Sequence, residues 1–104
     1  MDLKAFQHSV NTWHVANFPQ EADASTLVLV EEVGELARAV IKGRQGVRGG
    51  SARWEAEKAT EAADVLISLI AFCNQNDIDL AHAATERWKK VGARVAASTE
   101  EQAR

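Results

Sequence analysis

The chain has one proline, one cysteine and no tyrosine among its 104 residues. A single cysteine, Cys73, cannot close a disulfide on itself, which excludes a disulfide-built secreted scaffold. Set inside an apolar run, Cys73 reads as buried packing rather than as a nucleophile. No basic-then-apolar leader is seen; the most apolar uncharged run, Val65 to Asn76, is 12 residues, and the longest stretch without Asp, Glu, Lys or Arg, Ala5 to Gln20, is 16, both short of the roughly 20 that span a bilayer. The expected location is the cytoplasm. An excess of positive charge is missing too: 12 Lys and Arg stand against 15 Asp and Glu, a net charge of −3. That removes the basic footprint of a protein that grips nucleic-acid polymers. What is abundant is alanine, at 19 residues. With few β-branched runs and no alternation of period two, the expected fold class is all-α.

A chain of this length buries about two-thirds of its unfolded surface, so one domain with a thin core is expected, completed by a partner subunit. The spacing of Leu3, Phe6, Val10, Trp13 and Phe18 predicts a first helix from about Asp2 to Val15, closed by Pro19. A second helix begins between Gln20 and Ser25, where Asp23 and Ser25 are both cap residues, and runs through Leu29, Val33, Leu36, Val40 and Ile41 to a stop at Lys42-Gly43. Four of the six glycines fall between Gly43 and Gly50, which reads as a hairpin loop. From Ser51 a third helix extends to about Asn76, apolar on nearly every side from Ala62 to Cys73, the pattern of a helix buried all round. Asp77 or Asp79 caps a fourth through about Val95, striped with Leu80, Ala84, Trp88 and Val91. Residues 1–97 form the expected domain, and 98–104 a polar tail that frays.

The chemistry lies in two short segments, Glu32-Val-Gly-Glu35 and Glu61-Ala-Ala-Asp64. Residues three apart on a helix share a face, and a hairpin between two antiparallel helices lets the two acid pairs come opposite each other. The plain alternative is a set of solvated acids bridged along their own helices, Glu35 by Arg38 and Glu61 by Lys58. Against it, Glu61 and Asp64 abut the most apolar stretch of the chain, and buried acids are rare unless paired or bound to metal. Four converging carboxylates need a cation or protons. An all-oxygen ligand set without Cys or His suits a hard ion, Mg²⁺ first and Mn²⁺ second, and Mg²⁺ so held usually completes its shell with water and phosphates. A di-iron bundle would need Glu-x-x-His pairs; the nearest approach is a lone Asp79-Leu-Ala-His82.

Glu31-Glu32-Val-Gly-Glu35-Leu, with 25 residues between Glu35 and a following Glu61-x-x-Asp64, resembles the signature of the MazG-like nucleoside triphosphate pyrophosphohydrolases, in the all-α superfamily that includes dimeric dUTPases and dCTP pyrophosphatases. The resemblance implies a four-to-five-helix bundle. It implies Mg²⁺-dependent hydrolysis of a nucleoside triphosphate, such as a dNTP or a modified nucleotide, between the α and β phosphates, yielding the monophosphate and pyrophosphate. It also implies metal ligation by Glu32, Glu35, Glu61 and Asp64. Glu31 stands in the family's first acid position, a candidate for activating water or supporting the ligands. On the fourth helix the family's basic residue, asparagine and arginine fall on Arg87, Val91 and Arg94; the two cations are candidate phosphate contacts, and the asparagine is absent.

Trp54, beside the glycine loop, is the tryptophan best placed to stack on a nucleobase, although buried packing is the commoner fate of such a ring. The all-round apolar third helix and the resemblance both point to a homodimer or a dimer of dimers. The competing reading is a helical nucleotide-sensing or interaction module that uses the same acid cluster without turnover, and Val91 is the feature that favours it.

Overall fold

The computed structural model describes residues 2–17, 22–46 and 50–103, without the side chains of residues 22–24, 99–101 and 103. It holds four helices: α1 (Leu3–Asn17), α2 (Ala22–Gln45), α3 (Gly50–Gln75) and α4 (Leu80–Ala103). Phe18, Pro19, Gln20, the Asp23 side chain and loop residues 47–49 lie outside the described residues. Every described element is helical, as the alanine-rich composition predicts.

Several boundaries differ from those read in the sequence. Asp2 caps α1, its Oδ1 accepting the backbone N–H of Lys4 at 2.8 Å and of Ala5 at 3.3 Å. Ser25 is buried inside α2 rather than at its start. Gly43 does not end α2. It lies inside the helix, where a Cβ would meet the Cβ of Trp54 at 3.3 Å, so glycine permits α3 to approach. The end falls three residues later at Gly46, which takes the left-handed turn with φ +65° and donates its N–H to the Lys42 carbonyl at 3.1 Å. At the α3–α4 junction Asp77 adopts φ 55°, and the Ile78 N–H returns to the Cys73 carbonyl at 2.9 Å. Asp79 then caps α4 by accepting the His82 N–H at 3.1 Å. The helix continues past Val95 to Ala103, so the backbone of the polar tail is helical.

The main packing is α2 along α3, with α1 crossing α3 and meeting the start of α4. Their antiparallel course follows from the short connection at Gly46–Gly50. The core is small: Ala39, Trp54, Ile70, Ala71 and Cys73. Burial in α3 is confined largely to its C-terminal end, while Ala62, Ala63 and Ile67 are exposed, so one chain does not bury this helix all round. The radius of gyration is 17.8 Å, against about 13 Å for a compact domain of this length. The chain is too open to complete its own core.

One joint was not legible beforehand. Gln7 on α1 is 9% exposed and donates its Nε2 to Asn74 Oδ1 at 3.0 Å and to the Ile78 carbonyl at 2.7 Å. Its Oε1 accepts the Leu80 N–H at 3.1 Å, and its backbone carbonyl accepts Asn74 Nδ2 at 3.2 Å. One amide thereby ties α1 to the end of α3 and the start of α4.

Candidate metal centre

Each helix of the α2–α3 hairpin turns one seam toward the other. On α2 the buried and half-buried seam runs Ser25, Leu29, Glu32, Leu36, Ala39 and Gly43; on α3 it runs Gly50, Trp54, Glu57, Glu61, Asp64 and Ser68. Alternating steps of three and four are the spacing of two helices packed along their length. Such seams are normally apolar, yet the middle of this one is made of carboxylates.

One carboxylate oxygen from each of Glu32, Glu61 and Asp64 lies within 4.8 Å of the others, and all three residues are half-buried. Burial pushes the Glu32 carboxyl above the ordinary carboxylate value, and the charges of Asp64, Glu31 and Glu35 push it further. Glu61 is raised by burial first, then by Asp64, Glu32, Glu35 and Glu57. Both shifts are the signature of negative charge held together without a counterion. The cations expected to relieve it do so elsewhere or not at all. Lys58 pairs with Glu55, and the other ion pair among the described residues is Lys89–Glu86.

The donor set fits a hard divalent cation. An octahedral ion with oxygen ligands at about 2.1 Å holds neighbouring ligands about 3 Å and opposite ones about 4.2 Å apart, so three oxygens within 4.8 Å of one another would draw closer around one. Half-buried side chains have the freedom to do so, and the charge relief favours it.

Glu35 is exposed and stands outside the three-carboxylate group, one turn along α2 from Glu32. Its charge still raises both Glu32 and Glu61. Glu31 is exposed as well. Arg87 and Arg94 are exposed on α4, whose packing is on α1, and neither is among the charges acting on Glu32 or Glu61. The structure therefore does not bring these cations to the acids within one chain. Val91 between them is half-buried. Trp54 is 3% exposed, wedged beneath Gly43 with the Arg53 guanidinium 4.6 Å from its ring centre. Its indole is core of the hairpin and offers no open face to a base. Glu57, half-buried one turn before Glu61, belongs to the same seam, and its sequence signal is the recurrence of Glu57, Glu61 and Asp64 at steps of four and three.

A family model, the MazG nucleotide pyrophosphohydrolase domain, matches residues 20–97, a span that holds Glu31, Glu32, Glu35, Glu61 and Asp64 together with Arg87 and Arg94. No curated protein and no solved structure matches the chain. Among the described residues no helix is long and apolar enough to cross a membrane.

Proposed function

This chain belongs to the MazG nucleotide pyrophosphohydrolase domain family, and from that premise we propose that it hydrolyses a nucleoside triphosphate, a dNTP or modified nucleotide, between the α and β phosphates. The single observation that carries the reading is the convergence of Glu32, Glu61 and Asp64 in a half-buried seam, with no cation among the described residues paired to them. Divalent metal use is typical of the family, and the oxygen-only donors favour Mg²⁺, with Mn²⁺ as a substitute.

Glu32, Glu61 and Asp64 would hold the ion, with Glu35, one turn along α2, as the fourth carboxylate the family resemblance supplies. When bound, the ion supplies charge neutralisation for the phosphates and for the departing pyrophosphate. A water oxygen bonds to the α phosphorus as the bond from that phosphorus to the bridging oxygen breaks; pyrophosphate leaves with the electron pair, and the acids of the seam take up the water proton. Arg87 and Arg94 are the candidate phosphate contacts. Because α4 packs away from the acids in its own chain, those contacts are made across subunits of a homodimer or dimer of dimers. One domain over residues 1–97 carries the activity. Cys73, whose thiol is pushed up by burial, is an inert thiol suited to the cytoplasm.

Val91 in the family's asparagine position favours a second reading, a nucleotide-sensing module with the same acids and no turnover. Incubating the protein with a panel of ribo- and deoxyribonucleoside triphosphates and Mg²⁺ separates the two. Pyrophosphate release that is lost in Asp64→Asn and in Glu35→Gln supports hydrolysis; orthophosphate alone, or no product from any nucleotide, overturns it.

A further inference from the structure

The net charge of −3 hides a separation of charge along the chain. Between Glu35 and Glu55 there is no acid, and the 19 residues 36–54 carry Arg38, Lys42, Arg44, Arg48 and Arg53. The other seven cations stand against all 15 acids. The hairpin that gathers carboxylates at its middle is therefore cationic toward its tip. Arg48 lies outside the described residues, and Arg53 is stacked on Trp54. Arg38 and Lys42 are the two that stand on the acids' side of α2.

Glu31, Glu35, Arg38 and Lys42 follow one another at steps of four, three and four, which makes them one stripe of α2 beside the seam that carries Glu32. Arg38 rises about 4.5 Å beyond Glu35 and Lys42 about 10.5 Å, lengths that their long side chains span. Arg38 is exposed and Lys42 half-buried. Neither joins an ion pair, since those among the described residues are Lys58–Glu55 and Lys89–Glu86. Arg38 thus leaves unmade the bridge to Glu35 that their spacing offers. Arg44, two residues past Lys42, falls on the opposite side of the helix. A stripe that begins with carboxylates and ends with unpaired cations has the charge pattern of a metal-bound polyphosphate in reverse: carboxylates for the metal, N–H donors for the phosphate oxygens.

We propose that Arg38 and Lys42 form the subsite for the β and γ phosphates, the pyrophosphate that departs, and so select a triphosphate over shorter phosphate chains. The assignment takes its ligand from the pyrophosphohydrolase reading. It differs in place from the α4 cations, because Arg87 and Arg94 lie on a helix that packs on α1, whereas Arg38 and Lys42 share a helix with Glu32. Arg38 supplies a planar fork of N–H donors and Lys42 a point charge. The bond from the α phosphorus to the bridging oxygen then falls where the stripe changes sign, between Glu35 and Arg38.

Isothermal titration calorimetry of inorganic pyrophosphate into the full chain, with Mg²⁺ present, reads this subsite without turnover. Saturable binding is expected, tighter than that of orthophosphate, weakening as salt rises and by about tenfold in Arg38→Gln and in Lys42→Gln. Glutamine is a good helix former, so helical content by circular dichroism should hold in both, and Arg44→Gln should bind as wild type does. In turnover, Arg38→Gln and Lys42→Gln should raise KM for the triphosphate. The proposal is overturned by a wild-type protein that binds no pyrophosphate, by Arg38→Gln and Lys42→Gln proteins that bind it as tightly as wild type, or by an equal loss in Arg44→Gln. The two readings fail separately. Triphosphate turnover with pyrophosphate binding untouched by either substitution leaves hydrolysis standing and removes the subsite; pyrophosphate binding that depends on Arg38 and Lys42, without turnover of any nucleotide, keeps the subsite and removes hydrolysis.

Discussion

The acids of the α2–α3 seam and the amides of Gln7 and Asn74, where α1 meets the ends of α3 and α4, are both polar groups withdrawn in part from solvent, yet among the described residues only these amides are paired within the chain. Gln7 has its donors and acceptors paired with Asn74, Ile78 and Leu80. Glu32, Glu61 and Asp64 face one another instead, two of them with raised carboxyls. Paired amides fix geometry; like charges gathered in a half-buried seam repel until a cation sits among them. The amide joint is therefore structure, and the acid seam is a place prepared for a cation.

Breaking each region should have opposite consequences. The largest effect is expected from Asp64→Asn or Glu61→Gln: Mg²⁺-dependent pyrophosphate release should fall on the order of a hundredfold or more. The metal-free protein should melt at the same temperature or higher, since a repulsion has been removed. Gln7→Leu should do the reverse. It orphans the Ile78 carbonyl and the Leu80 N–H, each worth roughly 1–3 kcal/mol, so thermal unfolding should move down by roughly 10 °C or more, with turnover retained where the protein is folded. The smallest effect sharpens the contrast. Lys89→Ala breaks an exposed pair with Glu86 and should leave both the melting temperature and turnover within measurement error.

The pH dependence divides the regions again. Glu32 and Glu61 titrate above 4.5 in the folded protein, so their protons are held to higher pH than in the unfolded chain. That contribution is present at low pH and is lost as pH rises through the folded-state values. Bound divalent metal competes with those protons, so stabilisation by Mg²⁺ should grow as pH rises through the raised folded-state values toward neutral. Differential scanning calorimetry with and without Mg²⁺ checks this. The neutral amides of Gln7 and Asn74 contribute no such trend.

Much of this was legible in the sequence because it rests on local rules. Helical periodicity, the Asp79 cap, the glycine-rich break and the acid pairs each depend on residues a few positions apart. What escaped depends on neighbours distant in the chain. Lys42-Gly43 has the chemistry of a helix end, but Gly43 lies inside α2 against Trp54 and the left-handed turn falls at Gly46. Gln7 carries no signature, because a glutamine becomes a joint only when α3 and α4 bring it partners. Trp54 reads as a free aromatic until α2 covers it. The third helix reads as buried all round, and the sequence does not say that one chain leaves half of that burial undone. Glu35 remains a ligand by proposal, since the structure gathers three acids and leaves it one turn away.

The central claim, that the α2–α3 seam holds a divalent cation through Glu32, Glu61 and Asp64, is tested most directly by titrating Mn²⁺ into the protein and following free Mn²⁺ by electron paramagnetic resonance. The account predicts saturable loss of the free signal with wild-type protein, competed by Mg²⁺ and abolished in Asp64→Asn. A free signal unchanged by the wild-type protein, or bound equally by Asp64→Asn, would contradict it.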